Sequence, residues 1–212
     1  QMCIRDRCHD VLTCVAGRYQ TAAPGQSSNR ECADCGAGRY QDGENALSCV
    51  ACGAGKRRDV SVLASSSEAD ACAWCLPGRY QASEGALSCV ACGAGRFVGS
   101  RGASECDACG AGEYGGVAGL SSCVKCAAGR SQGGVGATAC EACAAGRYQS
   151  AAGTTSCVGC VVGRFQSQLG ATACVACPAA MFGADSDVKS SLGAECVACP
   201  AGRSSSATNV LP

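Results

Sequence analysis

The chain has 212 residues with 17 basic and 17 acidic side chains, so it lacks the basic excess of a nucleic-acid binder. Only 4% of residues are aromatic, against 30 Gly and 23 Cys, which argues against one large apolar core and makes covalent cross-links the expected source of stability. No apolar run approaches the ~18 residues of a membrane span.

The first segment, Gln1–Arg7, reads QMCIRDR. It resembles the in-frame translation of a common sequencing-library transposase adapter, so residues 1–7 are taken as an adapter-derived artefact and Cys3 as foreign to the protein. Removing Cys3 leaves an even number of cysteines. The N-terminus also lacks the apolar core of a signal peptide. A fragment of a longer secreted or membrane-anchored protein is therefore expected. His9 follows, the only histidine, and without a second one nucleophilic catalysis has no base along the chain.

From Cys8 to Arg203 the sequence is a tandem array of about ten repeats, and residues 204–212 are read as a truncated next repeat. Cys-x-x-Cys pairs begin at Cys32, Cys49, Cys72, Cys89, Cys106, Cys123, Cys140, Cys157, Cys174 and Cys196, and successive starts differ by 17 residues except after Cys49 and Cys174. The two exceptions carry insertions near 56–70 and 181–195, in the same part of the repeat, as expected of a surface loop. Three residues after the second cysteine stands Gly (Gly17, Gly38 and onward to Gly202), with Ala180 the one departure. Arg usually follows, then the position that carries every Tyr and Phe of the chain, from Tyr19 to Phe182. Ten residues after the second cysteine, six of seven regular repeats have Gly (Gly85, Gly102, Gly119, Gly136, Gly153, Gly170) and the seventh has Asn45. Gly and Asn best tolerate positive φ, so a left-handed turn is predicted there. Each repeat then reads as an extended Gly-Arg-Tyr-Gln piece, a tight turn and a return to the next cysteine. Helix is disfavoured by the density of Gly.

Three uses of the cysteine pairs compete. The spacing of Cys35's pair and the next is close to that of a zinc ribbon, which would close a four-thiolate site; against it, the repeat advances one pair at a time. Redox chemistry needs a Cys-x-x-Cys at a helix N-terminus, and no helix is expected. A structural bond from the second cysteine of one pair to the first of the next encloses the Gly-Arg-Tyr loop and contributes roughly 3 kcal/mol. The predicted bonds are Cys14–Cys32, Cys35–Cys49, Cys52–Cys72, Cys75–Cys89, Cys92–Cys106, Cys109–Cys123, Cys126–Cys140, Cys143–Cys157, Cys160–Cys174 and Cys177–Cys196. They leave Cys8 and Cys199 unpaired at the two ends. An interleaved alternative joins Cys89 to Cys106 and Cys92 to Cys109.

The segments CGAGRYQDGENALSC, CLPGRYQASEGALSC and CAAGRYQSAAGTTSC resemble the ephrin-receptor-like cysteine-rich repeats. They are similar also to the single-disulfide loops of tumour-necrosis-factor receptors and to the growth-factor-receptor cysteine-rich superfamily. The resemblance implies an elongated ectodomain or spacer without catalysis. Tumour-necrosis-factor receptors alternate two module types, whereas this chain repeats one, which weakens any implication of cytokine binding.

Weaker signals have simpler explanations. GAGEYG at Gly110–Gly115 matches a dinucleotide-binding pattern but is generated by the repeat, with Cys109 abutting it. Lys56-Arg57-Arg58 reads as a solvated loop or a basic processing site. Trp74 is expected to cover a neighbouring disulfide. The Arg series from Arg18 to Arg203 reads either as a stripe for sulfated glycans or acidic partners, or as side chains lying over aromatics or in water.

The sequence thus predicts a small disulfide-rich fold, an elongated tandem array of short β-hairpin-like loops with little regular secondary structure and no large core. The expected function is a non-enzymatic extracellular spacer or adhesive ectodomain of a secreted or cell-surface protein. A receptor-type ligand-binding ectodomain is the first alternative and a zinc-binding array the second. No catalytic residue, metal or cofactor is assigned. The expected partner is an extracellular protein or glycan, not nucleic acid, with no membrane insertion within the segment.

Overall fold

The computed structural model describes residues 13–21, 31–58, 64–179, 181–183 and 196–198. The chain divides into two compact units, Gln1–Ala91 with Val98–Cys106, and Cys92–Phe97 with Asp107–Pro212. Both are built from one repeating hairpin, and the described residues contain ten two-stranded antiparallel sheets.

The Cys143 repeat shows how the sequence makes the hairpin. Ala144–Arg147 is a β-turn closed by the Arg147 N–H donating to the Ala144 carbonyl at 3.0 Å. Gly146, third in the turn, has φ 78°, as a type II turn requires. Pro77 in the second turn position of Leu76–Arg79 suits the same geometry. Arg147–Tyr148 then forms the first strand, and its partner is Val158–Gly159. The second strand is therefore the pair of residues between the two cysteines of the next Cys-x-x-Cys. The spacing predicts a return to the cysteine; the structure shows that the return continues through it.

A two-stranded hairpin of this length is not stable alone, and each one is stitched to the next. The turn-glycine N–H of one repeat donates to a carbonyl of the following repeat, as in Gly112 to Gln132 at 2.7 Å and Gly129 to Gln149 at 2.7 Å. In the other direction, the N–H of the left-handed turn position donates back to the previous repeat's second cysteine, as in Gly136 to Cys109 at 2.7 Å and Gly153 to Cys126 at 2.8 Å. The positive φ predicted for that position is present at all six glycines and at Asn45. Asn45 adds what Gly lacks, since its Oδ1 accepts from the Cys14 N–H at 3.0 Å while its own N–H donates to the Cys14 carbonyl.

Contacts also reach two repeats along. A Cβ built on Gly38 would stand 2.5 Å from the Gly85 carbonyl oxygen, and one on Gly112 would overlap that of Gly153. This explains the glycine three residues after the second cysteine, which the sequence shows as recurrent without a reason. It needs positive φ and also has no room for a side chain.

Most of the buried side chains are cysteines. The second cysteines Cys14, Cys52, Cys75, Cys92, Cys109, Cys126 and Cys160 are fully buried, while the aromatics from Tyr19 to Phe165 are half-buried. The cluster Cys52, Ala71 and Cys72, with Tyr40 against it, shows how small each packed nucleus is.

The first insertion departs from expectation. Lys56–Arg58 is a strand paired with Cys72–Trp74, half-buried and not a solvated loop, because these residues occupy the Arg-Tyr-Gln positions of their repeat. Ala64 takes the left-handed turn position with φ 55°, and its carbonyl covers Gly17. A four-residue helix, Glu68–Ala71, follows in this Gly-free stretch, with Ser67 Oγ accepting from the Asp70 N–H. Most of the second insertion, Ala180, Cys8, His9, Cys199 and Arg203 lie outside the described residues.

Two glycines of a single turn provide a matched test. Gly112→Ala should destabilise the array by roughly 2 kcal/mol or more, from αL strain plus the overlap with Gly153. Gly110→Ala, with nothing within 4 Å of its Cβ, should change denaturant stability by less than about 0.5 kcal/mol. Ala64→Gly should raise stability by about 0.5–1 kcal/mol by removing a non-glycine residue from positive φ.

Candidate functional site

The candidate site residues are the cysteines. Nine bonds step from the second cysteine of one pair to the first of the next: Cys14–Cys32, Cys35–Cys49, Cys52–Cys72, Cys75–Cys89, Cys109–Cys123, Cys126–Cys140, Cys143–Cys157, Cys160–Cys174 and Cys177–Cys196. Cys92 and Cys106 are disulfide-bonded as well. The interleaved scheme is incompatible with these bonds, since Cys109 is joined to Cys123 and Cys89 to Cys75. The zinc alternative requires the same sulfurs as thiolates, and the structure commits them to disulfides.

The Arg series has a defined partner that the sequence does not reveal. Nη1 of Arg39, Arg79, Arg130, Arg147 and Arg164 donates at 3.0–3.2 Å to the carbonyl of the first cysteine of the next pair, Cys49, Cys89, Cys140, Cys157 and Cys174 respectively. Neither the aromatic-stacking nor the solvated reading covers this bond, which reaches across the mouth of these five loops. Where the hairpin pairs Arg18 with Asp34, the two side chains form an ion pair at 2.6 Å. Where Glu113 replaces Arg, Lys125 stands directly opposite, so charge order is reversed but complementarity is kept.

Sequence reasoning missed the glutamine that follows the aromatic. Nε2 of Gln41, Gln81, Gln132, Gln149 and Gln166 donates to the carbonyl preceding the next cysteine at 2.6–2.9 Å. Oε1 of the same side chains accepts an N–H two residues on, as in Gly43 to Gln41 at 2.9 Å and Ala151 to Gln149 at 3.1 Å. One amide thus holds both sides of the loop. Its recurrence at a fixed offset was the available signal.

The remaining candidates are local. The Gly110–Gly115 decoy contains the strand Glu113–Tyr114, with no helix after the glycines. Trp74 is 55% exposed, with Lys56 Nζ 4.0 Å from the ring centroid and with Gly102 so near that a Cβ there would collide with the indole. Among the described residues no group of three metal-ligating side chains converges, and no helix is long and apolar enough to cross a membrane.

Tandem disulfide-closed hairpins with little helix and no large core define the chain as a cysteine-rich repeat protein. The sequence model of the family described as tyrosine-protein kinase ephrin type A/B receptor-like matches residues 25–70, 63–109, 95–143, 136–172 and 146–191. These matches span well over half of the chain, which belongs to this ephrin-receptor-like repeat family. A comparison with curated proteins returns no match.

The glutamine and arginine clasps should differ in weight. Gln149→Leu removes both hydrogen bonds of a buried side chain, at a cost of about 1–3 kcal/mol in denaturant unfolding. Arg147→Met, at an exposed position, should cost no more than about 1 kcal/mol.

Proposed function

We propose that the array is a non-enzymatic extracellular scaffold, a spacer or adhesive ectodomain of a larger secreted or cell-surface protein. One observation carries this reading. The side chains that recur from repeat to repeat, Cys, Arg and Gln, serve the chain's own backbone. A periodic ligand-binding stripe would need recurrent groups turned outward, and here the recurrent guanidinium is held by a cysteine carbonyl. Membership of an ephrin-receptor-like repeat family, an ectodomain type, supports the same conclusion. So does dependence on disulfides, which persist in oxidising compartments. Hydrogen bonding from each repeat to the next suits a load-bearing spacer, because such arrays gain stability from neighbour interfaces.

The purified array should show no titratable thiol among the repeat cysteines after denaturation without reductant, and a chelator should leave its melting curve unchanged. Reductant should abolish the cooperative transition, since each repeat has little else to hold it. Stoichiometric zinc at one ion per two cysteine pairs would refute the scaffold chemistry. Retention on heparin at physiological ionic strength, lost on changing Arg130, Arg147 and Arg164 together to Ser, would replace the spacer reading by a glycan-binding one.

A further inference from the structure

The insertion-bearing repeat departs from the others in a way that the scaffold does not require. Within the first compact unit, Lys56, Glu68, Trp74, Leu76 and Arg101 line an open cavity of about 560 Å³, a size ordinary for a binding site. In every other described hairpin, the residue at Trp74's place is Ala, Gly, Asp or Lys. Trp74 and Leu76 are 55% and 57% exposed, so the largest side chain of the molecule is placed where it buries little. The scaffold gains nothing from this exposure, and interfaces concentrate Trp and Arg at their energetic centres.

The charges around the cavity decide the chemistry of its occupant. Lys56 Nζ is bound to Glu68 Oε1 at 2.6 Å and also stands over the indole, so those two charges neutralise each other. Arg101, on the cavity wall, makes no hydrogen bond or ion pair with another described residue. One uncompensated guanidinium therefore stands beside an exposed apolar pair. A sugar ring would need an open indole face to stack on, but Lys56 covers one face and the Gly102 backbone lies against the ring. The indole edge with Leu76 suits instead an aliphatic or aromatic side chain.

We propose that this cavity is a docking site for an acidic peptide segment of a partner protein. An Asp or Glu of the partner pairs with Arg101, and an adjacent Leu, Ile or Phe rests on Trp74 and Leu76. The reading goes beyond the scaffold function and does not depend on it, since it involves one cavity and none of the recurrent clasps.

The chain contains a single tryptophan, so its fluorescence reports this cavity alone. Peptides would be selected from a random library lacking Trp and Tyr on the oxidised full chain, with counter-selection on the Arg101→Ser variant. The expected survivors combine Asp or Glu with Leu, Ile or Phe and shift Trp74 emission saturably. Their affinity should fall roughly tenfold or more in Arg101→Ser, the loss typical of a central interfacial arginine. Arg101 is exposed and takes no part in the clasps, and an unchanged melting curve of the variant would exclude misfolding as the cause. Failure to enrich peptides over the counter-selection would overturn the proposal, as would enrichment of basic sequences. A shift of Trp74 emission by a heparin-derived oligosaccharide but by no peptide would reassign the cavity to glycan. A shift with protein concentration alone would reassign it to a second copy of the chain.

Discussion

The close approach of two backbones sets the spacing of the repeats. The glycine three residues after the second cysteine, as at Gly17, Gly38, Gly55, Gly95, Gly112 and Gly129, lies against the turn carbonyl of the repeat two places on, at a distance that excludes a Cβ. Because that carbonyl belongs to a left-handed turn, the two positive-φ positions of the repeat are coupled through space from one repeat to another. A shift of either turn would open a gap or create a clash, and interiors packed this closely tolerate neither. This turn-to-turn contact is therefore a geometric requirement. The first insertion obeys it: Ala64 accepts an unfavourable φ of 55° so that its carbonyl still reaches Gly17, and the additional residues after it coil into the helix Glu68–Ala71.

Disulfides and hydrogen bonds divide the work of closing each loop. The bond between Cys143 and Cys157 limits the unfolded chain, but it fixes only the base of a loop whose remaining backbone has few ladder partners. Gln149 supplies an acceptor and a donor inside the loop, and Arg147 closes its mouth on the Cys157 carbonyl. Backbone groups without partners would otherwise be costly wherever water is excluded. Polar side chains thus take the role that apolar packing plays in larger domains, which is how a chain with so few aromatics can be ordered. The aromatics are half-buried, and Tyr40 packs against the Cys52–Cys72 cluster.

Much of this order was legible in the sequence, and what was legible was what repeats. The bond pattern from Cys14 to Cys196 could be reasoned from loop size, and the left-handed turn from the restriction of one position to Gly85, Gly102 and their equivalents or Asn45. The role of Gln149 was hidden because a glutamine in a polar loop looks like a solvated residue until its two partners are located. The role of Arg147 was hidden for a related reason. Its acceptor is a backbone carbonyl, and carbonyls leave no trace in a side-chain pattern. Lys56–Arg58 reads as a basic loop by composition, although its offset from Cys52 places it on the strand position that Arg18–Gln20 also occupies.

Departures from the period are informative once the period is understood. The Cys126 repeat lacks its aromatic, with Ser131 in that place opposite Glu141, yet it keeps the glutamine clasp, the arginine clasp and the turn glycine. That substitution changes the surface and leaves the scaffold intact. The Cys52 repeat changes more. It replaces the aromatic by Arg57, adds a helix, and places Trp74 where the pattern elsewhere has a small or charged residue. Gly102 then serves a second purpose, since a side chain there would collide with the indole as well as strain the turn. The period already places a glycine in that turn, so the indole fits against it without any change in the repeat that carries Gly102. A scaffold that only had to extend would have no need for an exposed indole, and among the described hairpins it is confined to the one whose cavity is lined by a tryptophan, an ion pair and an arginine without a described partner.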